Sequence, residues 1–147
     1  MKPFACAKIL GNTAFPNLYG EADFYEDPSK GVWVEVKVHG LPDQNTENQS
    51  GFYGLHIHEI GNCSIPFNKT GEHYNPTNAP HPDHAGDLPP LLGNHGYAYS
   101  LFYTTRFTAR EILNRSIVIH SEEDDFTTQP SGDTGNKIGC GVIRKCS

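Results

Sequence analysis

The sequence predicts an all-β fold, an antiparallel sandwich or barrel of seven or eight short strands. Three observations carry this expectation. Residues 32–39 (Val-Trp-Val-Glu-Val-Lys-Val-His) alternate strictly, which puts Val32, Val34, Val36 and Val38 on one face of a half-buried strand. Turn residues punctuate the apolar runs, as in Asp27-Pro-Ser-Lys-Gly31, where Pro presets φ and Gly admits a positive one. Helical patterning is confined to residues 107–113, with one helical turn expected at Thr108-Ala-Arg-Glu111.

The elements follow in chain order. Residues 3–10 form a first strand ended by Gly11-Asn12, and residues 19–26 alternate well enough for a second. After the strand at 32–39 comes a polar linker from Pro42 to Gly51. Residues 52–59 form a strand in which Leu55 and Ile57 face one side and His56 and His58 the other. From Gly61 to Asn94 periodicity is weak, and a connection that long needs something to order it; bound metal and a disulfide are candidates. Strands are expected again at 97–104, at 115–120 with His120 at the exit, and at 138–144, with a polar loop from Ser121 to Asn136 between the last two.

At 147 residues the chain is read as a single domain, 1–147. Its formal net charge of −6 argues against a nucleic-acid partner. No apolar run approaches 18 residues, so no membrane-spanning helix is expected. The stretch Met1-Lys-Pro-Phe-Ala-Cys-Ala-Lys8 lacks the apolar core of a signal peptide. This reads as cytoplasmic as given, and as extracytoplasmic if a leader has been removed. Cys6, Cys63, Cys140 and Cys146 form no CxxC pair, which disfavours thiolate zinc sites and thioredoxin chemistry. They allow two disulfides, which suits an oxidising compartment.

The chemistry centres on Gly54-Leu-His56-Ile-His58-Glu59. Two histidines at i and i+2 of a strand share a face and can grip one ion. His73, His81, His84, Asp87 and His120 join them, too many ligands for one tetrahedral site. His73, His81, His84 and Asp87 match a closed zinc site in kind and number. His56, His58 and His120 remain, and His73, with two ring nitrogens, can serve both ions. The second site is then four imidazoles, which suits copper.

With these motifs assembled, the chain resembles a copper/zinc superoxide dismutase of the bacterial type. The resemblance is carried by Gly54-Leu-His-Ile-His-Glu59, Gly71-Glu-His-Tyr-Asn-Pro76, His84-Ala-Gly-Asp-Leu88, Arg115-Ser-Ile-Val-Ile-His120, Asp124-Asp125 and Gly139-Cys-Gly-Val-Ile143, collinear from about residue 52 to 143. It implies an eight-stranded antiparallel Greek-key barrel or sandwich with long metal-binding and electrostatic loops. It further implies copper on His56, His58, His73 and His120, zinc on His73, His81, His84 and Asp87, and His73 as the bridge. Asp124 would orient one ligand ring of each metal, and Cys63 and Cys140 would form the family's disulfide. If the first and last strands pair, as in the family, Cys6 and Cys146 face each other as a second bridge. The implied reaction is disproportionation of superoxide to oxygen and hydrogen peroxide, with His73 carrying a proton. A homodimer is an assembly the family offers. The alternative is a non-catalytic β-domain in which zinc is a staple and the copper ligands at most buffer copper. A third reading, a plain interaction module, holds only if the histidines bind nothing.

One position departs from the family. Three residues before the last-strand cysteine the family has an arginine, and here it is Lys137. Lysine keeps the charge for an anionic substrate but lacks the planar fork, so lowered activity is expected. The segment between His81 and His84 is short and the loop 121–136 is lean in lysine, which weakens substrate guidance. His39 and His95 belong to no motif and are read as surface histidines, Asp83 as a solvated loop carboxylate, and Glu122, Glu123 and Asp125 as a solvated rim.

Overall fold

The computed structural model describes residues 2–42 and 50–146, and ten strands are found among them. These are β1 (Ala5–Gly11), β2 (Tyr19–Glu26), β3 (Val32–His39), β4 (Phe52–Tyr53), β5 (Leu55–His58), β6 (Leu91–Leu92), β7 (Ala98–Thr104), β8 (Ser116–His120), β9 (Lys137–Val142) and β10 (Arg144–Lys145). Most of the linker expected at 42–51 lies outside the described residues. One eight-stranded antiparallel sheet runs β5-β8-β9-β1-β2-β3-β7, with β10 also on β1. Its non-consecutive neighbours are Greek-key crossovers. A short β4–β6 ladder sits beside its ends, and β6 leads into β7 through a turn closed by the Asn94–Tyr97 bridge.

The alternation read from residues 32–39 holds: Val32, Val34, Val36 and Val38 are fully buried while Trp33 and His39 are exposed. They pack with Ala5, Ala7, Ile9, Ala22, Phe24, Leu55, Ile57, Ile117 and Ile119 in one core. Each large aliphatic or aromatic side chain among these stabilises the fold by roughly 1.5–3 kcal/mol. His39 stacks on Tyr19 at 4.9 Å between ring centroids, and His95 is exposed, so both are surface histidines.

Several boundaries differ from the sequence expectation. The strand expected at 52–59 is interrupted at Gly54, whose N–H donates to Glu122 O at 2.9 Å and whose carbonyl accepts from His120 N at 2.8 Å. A Cβ there would lie 2.5 Å from Thr134 Cγ2, so glycine lets the loop 121–136 close over this strand. No helix forms among the described residues. Thr108 and Glu111 do make a reciprocal cap, Thr108 N–H to Glu111 Oε1 at 2.5 Å and Glu111 N–H to Thr108 Oγ1 at 3.3 Å. Only tight i to i+3 turns follow, and Asn114 at φ 67 ends them. The last strand is two pieces: β9 pairs with β8 and the end of β1, while β10 pairs with the start of β1.

The stretch 61–94 is ordered by backbone as well as by side chains. It covers the outer edge of β5, with Tyr74 N–H donating to Ile57 O (2.8 Å), Ile57 N–H to Gly86 O (2.8 Å), Glu59 N–H to Glu72 O (2.9 Å) and Ile60 N–H to Thr70 O (2.9 Å). An edge strand that would otherwise be open is thereby paired. Cys63 is bonded to Cys140, and Cys6 to Cys146, with Cα–Cα distances of 5.7 and 5.4 Å. Both expected bridges are present.

Candidate metal centre

The seven ligand candidates converge. His56 and His58 come from β5, His120 from the end of β8, and His73, His81, His84 and Asp87 from the stretch that covers β5. Isolated bridges His58–His73 and His56–Asp87 fix the covering chain in register with the strand. All six histidines are 6% exposed or less.

Two donor groups result. One ligand atom from each of His56, His58, His73 and His120 lies within 4.8 Å of the others, and the same holds for His56, His73, His81 and Asp87. His84 joins the second group, its Nδ1 3.2 Å from His73 Nδ1 and 3.2 Å from Asp87 Oδ2. His73 Nδ1 is 2.9 Å from Asp87 Oδ1, and His81 Nδ1 is 3.0 Å from Asp87 Oδ2. His73 thus turns its Nδ1 to the carboxylate group, while its Nε2 is buried with no protein partner. On the other side His58 Nε2 and His120 Nε2 are 3.3 Å apart, and the His56 and His73 rings stack at 3.9 Å.

Three further contacts aim the rings. Asp124, 5% exposed, accepts from His56 Nε2 at 2.8 Å and from His81 Nε2 at 2.7 Å. The Gly71 carbonyl accepts from His58 Nδ1 at 2.9 Å. With these nitrogens engaged, His56 presents Nδ1 and His58 presents Nε2 inward. Among the described residues, the buried side-chain nitrogens that make no hydrogen bond are His56 Nδ1, His73 Nε2, His120 Nδ1 and His81 Nδ1, the last lying 3.0 Å from Asp87 Oδ2. A buried imidazole nitrogen without a partner is costly unless a cation completes it, so the donor sets fit metal ions. Burial, then the neighbouring imidazoles, hold His56 and His120 well below the usual histidine range. Burial takes His58 down to about 3 and lowers His84. For Asp87, burial pushes the carboxyl up, but the hydrogen bond from His73 and the charges of His73, His81 and His84 bring it below the ordinary value. Neutral imidazoles and an ionised carboxylate are the forms that bind metal.

A cavity of about 420 Å³ opens onto this centre, lined by His58, His73, His120, Thr134 and Lys137 among others. Lys137 is half-buried at the start of β9, and its Nζ donates to Thr70 Oγ1 at 2.8 Å. Asp83 lies outside the centre, exposed and 3.6 Å from Arg106. Sequence reasoning missed three contributors. Gln129 clamps His81, donating to its carbonyl at 2.7 Å and accepting from its N–H at 2.8 Å. Gly132, at φ +77, leaves room for Asp124, since a Cβ would sit 2.1 Å from Asp124 Oδ1. Thr70 carries no motif of its own. Only the proline-glycine punctuation of the loops hinted that backbone and small residues would finish the site.

Fold and centre together define a β-barrel protein with two adjoining groups of side chains able to hold metal ions, overlapping at His56 and His73. A family model described as copper/zinc superoxide dismutase matches residues 18–143. The chain is 34% identical to the Cu-Zn superoxide dismutase of Deinococcus radiodurans, over 97% of this chain and 85% of that one. It is 33% identical to Cu-Zn superoxide dismutase 3 of Arabidopsis thaliana, over 95% and 88%. Among solved structures, the crystal structure of the clock protein EA4 matches with a TM-score of 0.82 at 26% identity, covering 99% of this chain and 97% of that one. The chain belongs to the copper/zinc superoxide dismutase family.

Proposed function

We propose that His56, His58, His73 and His120 hold copper, that His73, His81, His84 and Asp87 hold zinc, and that Lys137 draws the substrate in. The protein is an oxidoreductase that disproportionates superoxide, one ion being oxidised to oxygen and a second reduced, with two protons, to hydrogen peroxide. The observation that carries the residue assignment is the two-sided placement of His73, with Nδ1 at 2.9 Å from Asp87 and Nε2 unpaired towards the other histidines.

Bound copper supplies a one-electron acceptor and donor, and zinc a fixed positive charge. The chain's own residues do the rest. His73 Nε2 takes up a proton in one half of the cycle and yields it to the product in the other. The Nδ1 of that ring belongs to the zinc set with Asp87, which leaves Nε2 as the atom that carries the proton. Asp124 keeps the His56 and His81 rings from turning. The Lys137 ammonium attracts the anion into the cavity. It lacks the fork of an arginine, so Lys137→Arg is expected to raise the rate at low salt; an unchanged rate refutes this role for Lys137. A purely structural zinc domain has no use for His56, His58 and His120 together.

The test is the superoxide dismutation rate of protein loaded with copper and zinc, against a chelator-stripped control. Superoxide dismutase is a standard example of an enzyme near the diffusion limit, roughly 10⁸–10⁹ M⁻¹s⁻¹. A rate near that scale, lost on stripping, supports the assignment; a negligible rate with both metals bound overturns it. Two disulfides and no free cysteine support an oxidising compartment as the place of action.

A further inference from the structure

We propose that Thr70 is a positioning residue for substrate capture: its hydroxyl oxygen anchors the Lys137 ammonium on the wall of the metal cavity and leaves two N–H groups for a small monoanion. The inference rests on the role given to Lys137 above.

Lysine reaches its target through a flexible four-carbon stem whose rotamer freedom must be given up when the ammonium is fixed. An arginine presents a preorganised fork; a lone ammonium must be held by something else. Among the described residues, Thr70 Oγ1 is the acceptor within hydrogen-bond distance of Lys137 Nζ, at 2.8 Å. An ammonium has three donors, so two remain once Thr70 is served.

Thr70 is itself immobile. It is 0% exposed, its hydroxyl donates to Phe67 O at 3.2 Å, and its carbonyl accepts from Ile60 N–H at 2.9 Å. The next residue, Gly71, accepts from His58 Nδ1 at 2.9 Å. Two consecutive residues therefore hold the cation and one metal-facing ring, which sets the distance between them. Gly71 has φ +75, and a Cβ on it would meet Glu59 Cγ at 2.6 Å, so the turn is closely held against the strand. A buried threonine that merely fills space would need its methyl and its branching; a positioning residue needs its oxygen.

Thr70→Val keeps the shape and removes the oxygen, whereas Thr70→Ser keeps the oxygen and removes the methyl. The probe is azide, titrated by visible absorption into copper- and zinc-loaded protein. Thr70→Val is expected to weaken azide roughly tenfold, the scale of a hydrogen bond to a charged group, and Thr70→Ser to stay within about twofold of the parent. A second readout is independent of copper: in zinc-loaded protein the Lys137 ε-methylene should become more mobile by NMR relaxation in Thr70→Val and not in Thr70→Ser. Should Thr70→Val fail to fold, Thr70→Ala reads the same loss. Azide binding and lysine mobility unchanged in Thr70→Val overturn the proposal, as does Thr70→Ser behaving like Thr70→Val. Lys137→Met separates the two claims. If it leaves azide affinity unchanged, the role of Lys137 fails and the proposal with it. If it weakens azide while Thr70→Val does not, the proposal alone fails.

Discussion

Replacing Cys6 and Cys146 together by alanine should destabilise the protein by about 4 kcal/mol, by the loop-entropy account of cross-links. The two disulfides are nested, with sequence separations of 140 and 77. With Cys63–Cys140 intact, the unfolded chain already has 77 residues short-circuited, so the outer bridge closes a loop of 63, the difference of the two separations. A free loop of that length has a closure entropy equivalent to about 4 kcal/mol at 25 °C. Both outer cysteines are half-buried, so the packing lost with the sulfurs is small beside this. The inner bridge closes a loop of similar entropy, but Cys140 is buried against Phe67 and Val118, so Cys63→Ala with Cys140→Ala should cost more. The assay is equilibrium urea unfolding of metal-free protein, with Cys63–Cys140 shown intact by mass. About 4 kcal/mol is a large share of the 5–15 kcal/mol typical of a domain. A loss below about 1 kcal/mol would refute the reasoning, because the unfolded chain would then not be gaining the freedom that the bridge removes.

Other perturbations test the centre and its loop. Asp124→Ala removes the acceptor for His56 Nε2 and His81 Nε2 and should weaken metal binding about 10–100-fold in a chelator competition. Gly132→Ala forces a side chain into φ +77 and against Asp124, so in urea unfolding it should destabilise the protein by about 1–3 kcal/mol of strain and loosen the metals as well. Asp125 accepts from the N–H groups of Thr127 and Thr128 and from the Thr128 hydroxyl, and these bonds lower its carboxyl to about 2. Its support for the loop is complete above the ordinary value of 3.8 and lost as pH falls through about 2. A carboxyl NMR titration with its midpoint at 3.8 would contradict those bonds.

Period-two patterns made most of the fold legible. Val32 to Val38 announce an inward face, and Leu55 and Ile57 announce another, because side chains of a strand alternate whatever lies around them. The convergence of the candidate ligands was legible for a related reason: HxH on a strand puts two imidazoles on one face, and a histidine-rich stretch follows that can cover it. What stayed hidden depends on contacts across the chain. The break at Gly54 is set by Thr134, eighty residues on, and the split of the last strand by competition for β1. The helical turn expected at 108–111 has its cap, but a cap cannot make a helix of a run that Asn114 ends within a few residues. Thr70 and Gln129 are ordinary loop residues until the fold puts an ammonium against one and the backbone of His81 against the other.

The single carboxylate of Asp124 has a consequence for how the centre fills. One of its oxygens fixes a ring of the four-histidine group and the other a ring of the carboxylate group, 2.8 and 2.7 Å away. The two halves are therefore linked in the thermodynamic sense: immobilising His81 restricts Asp124, and a restricted Asp124 has already selected the orientation of His56. Occupation of either half should tighten the other, and by the same factor in both directions.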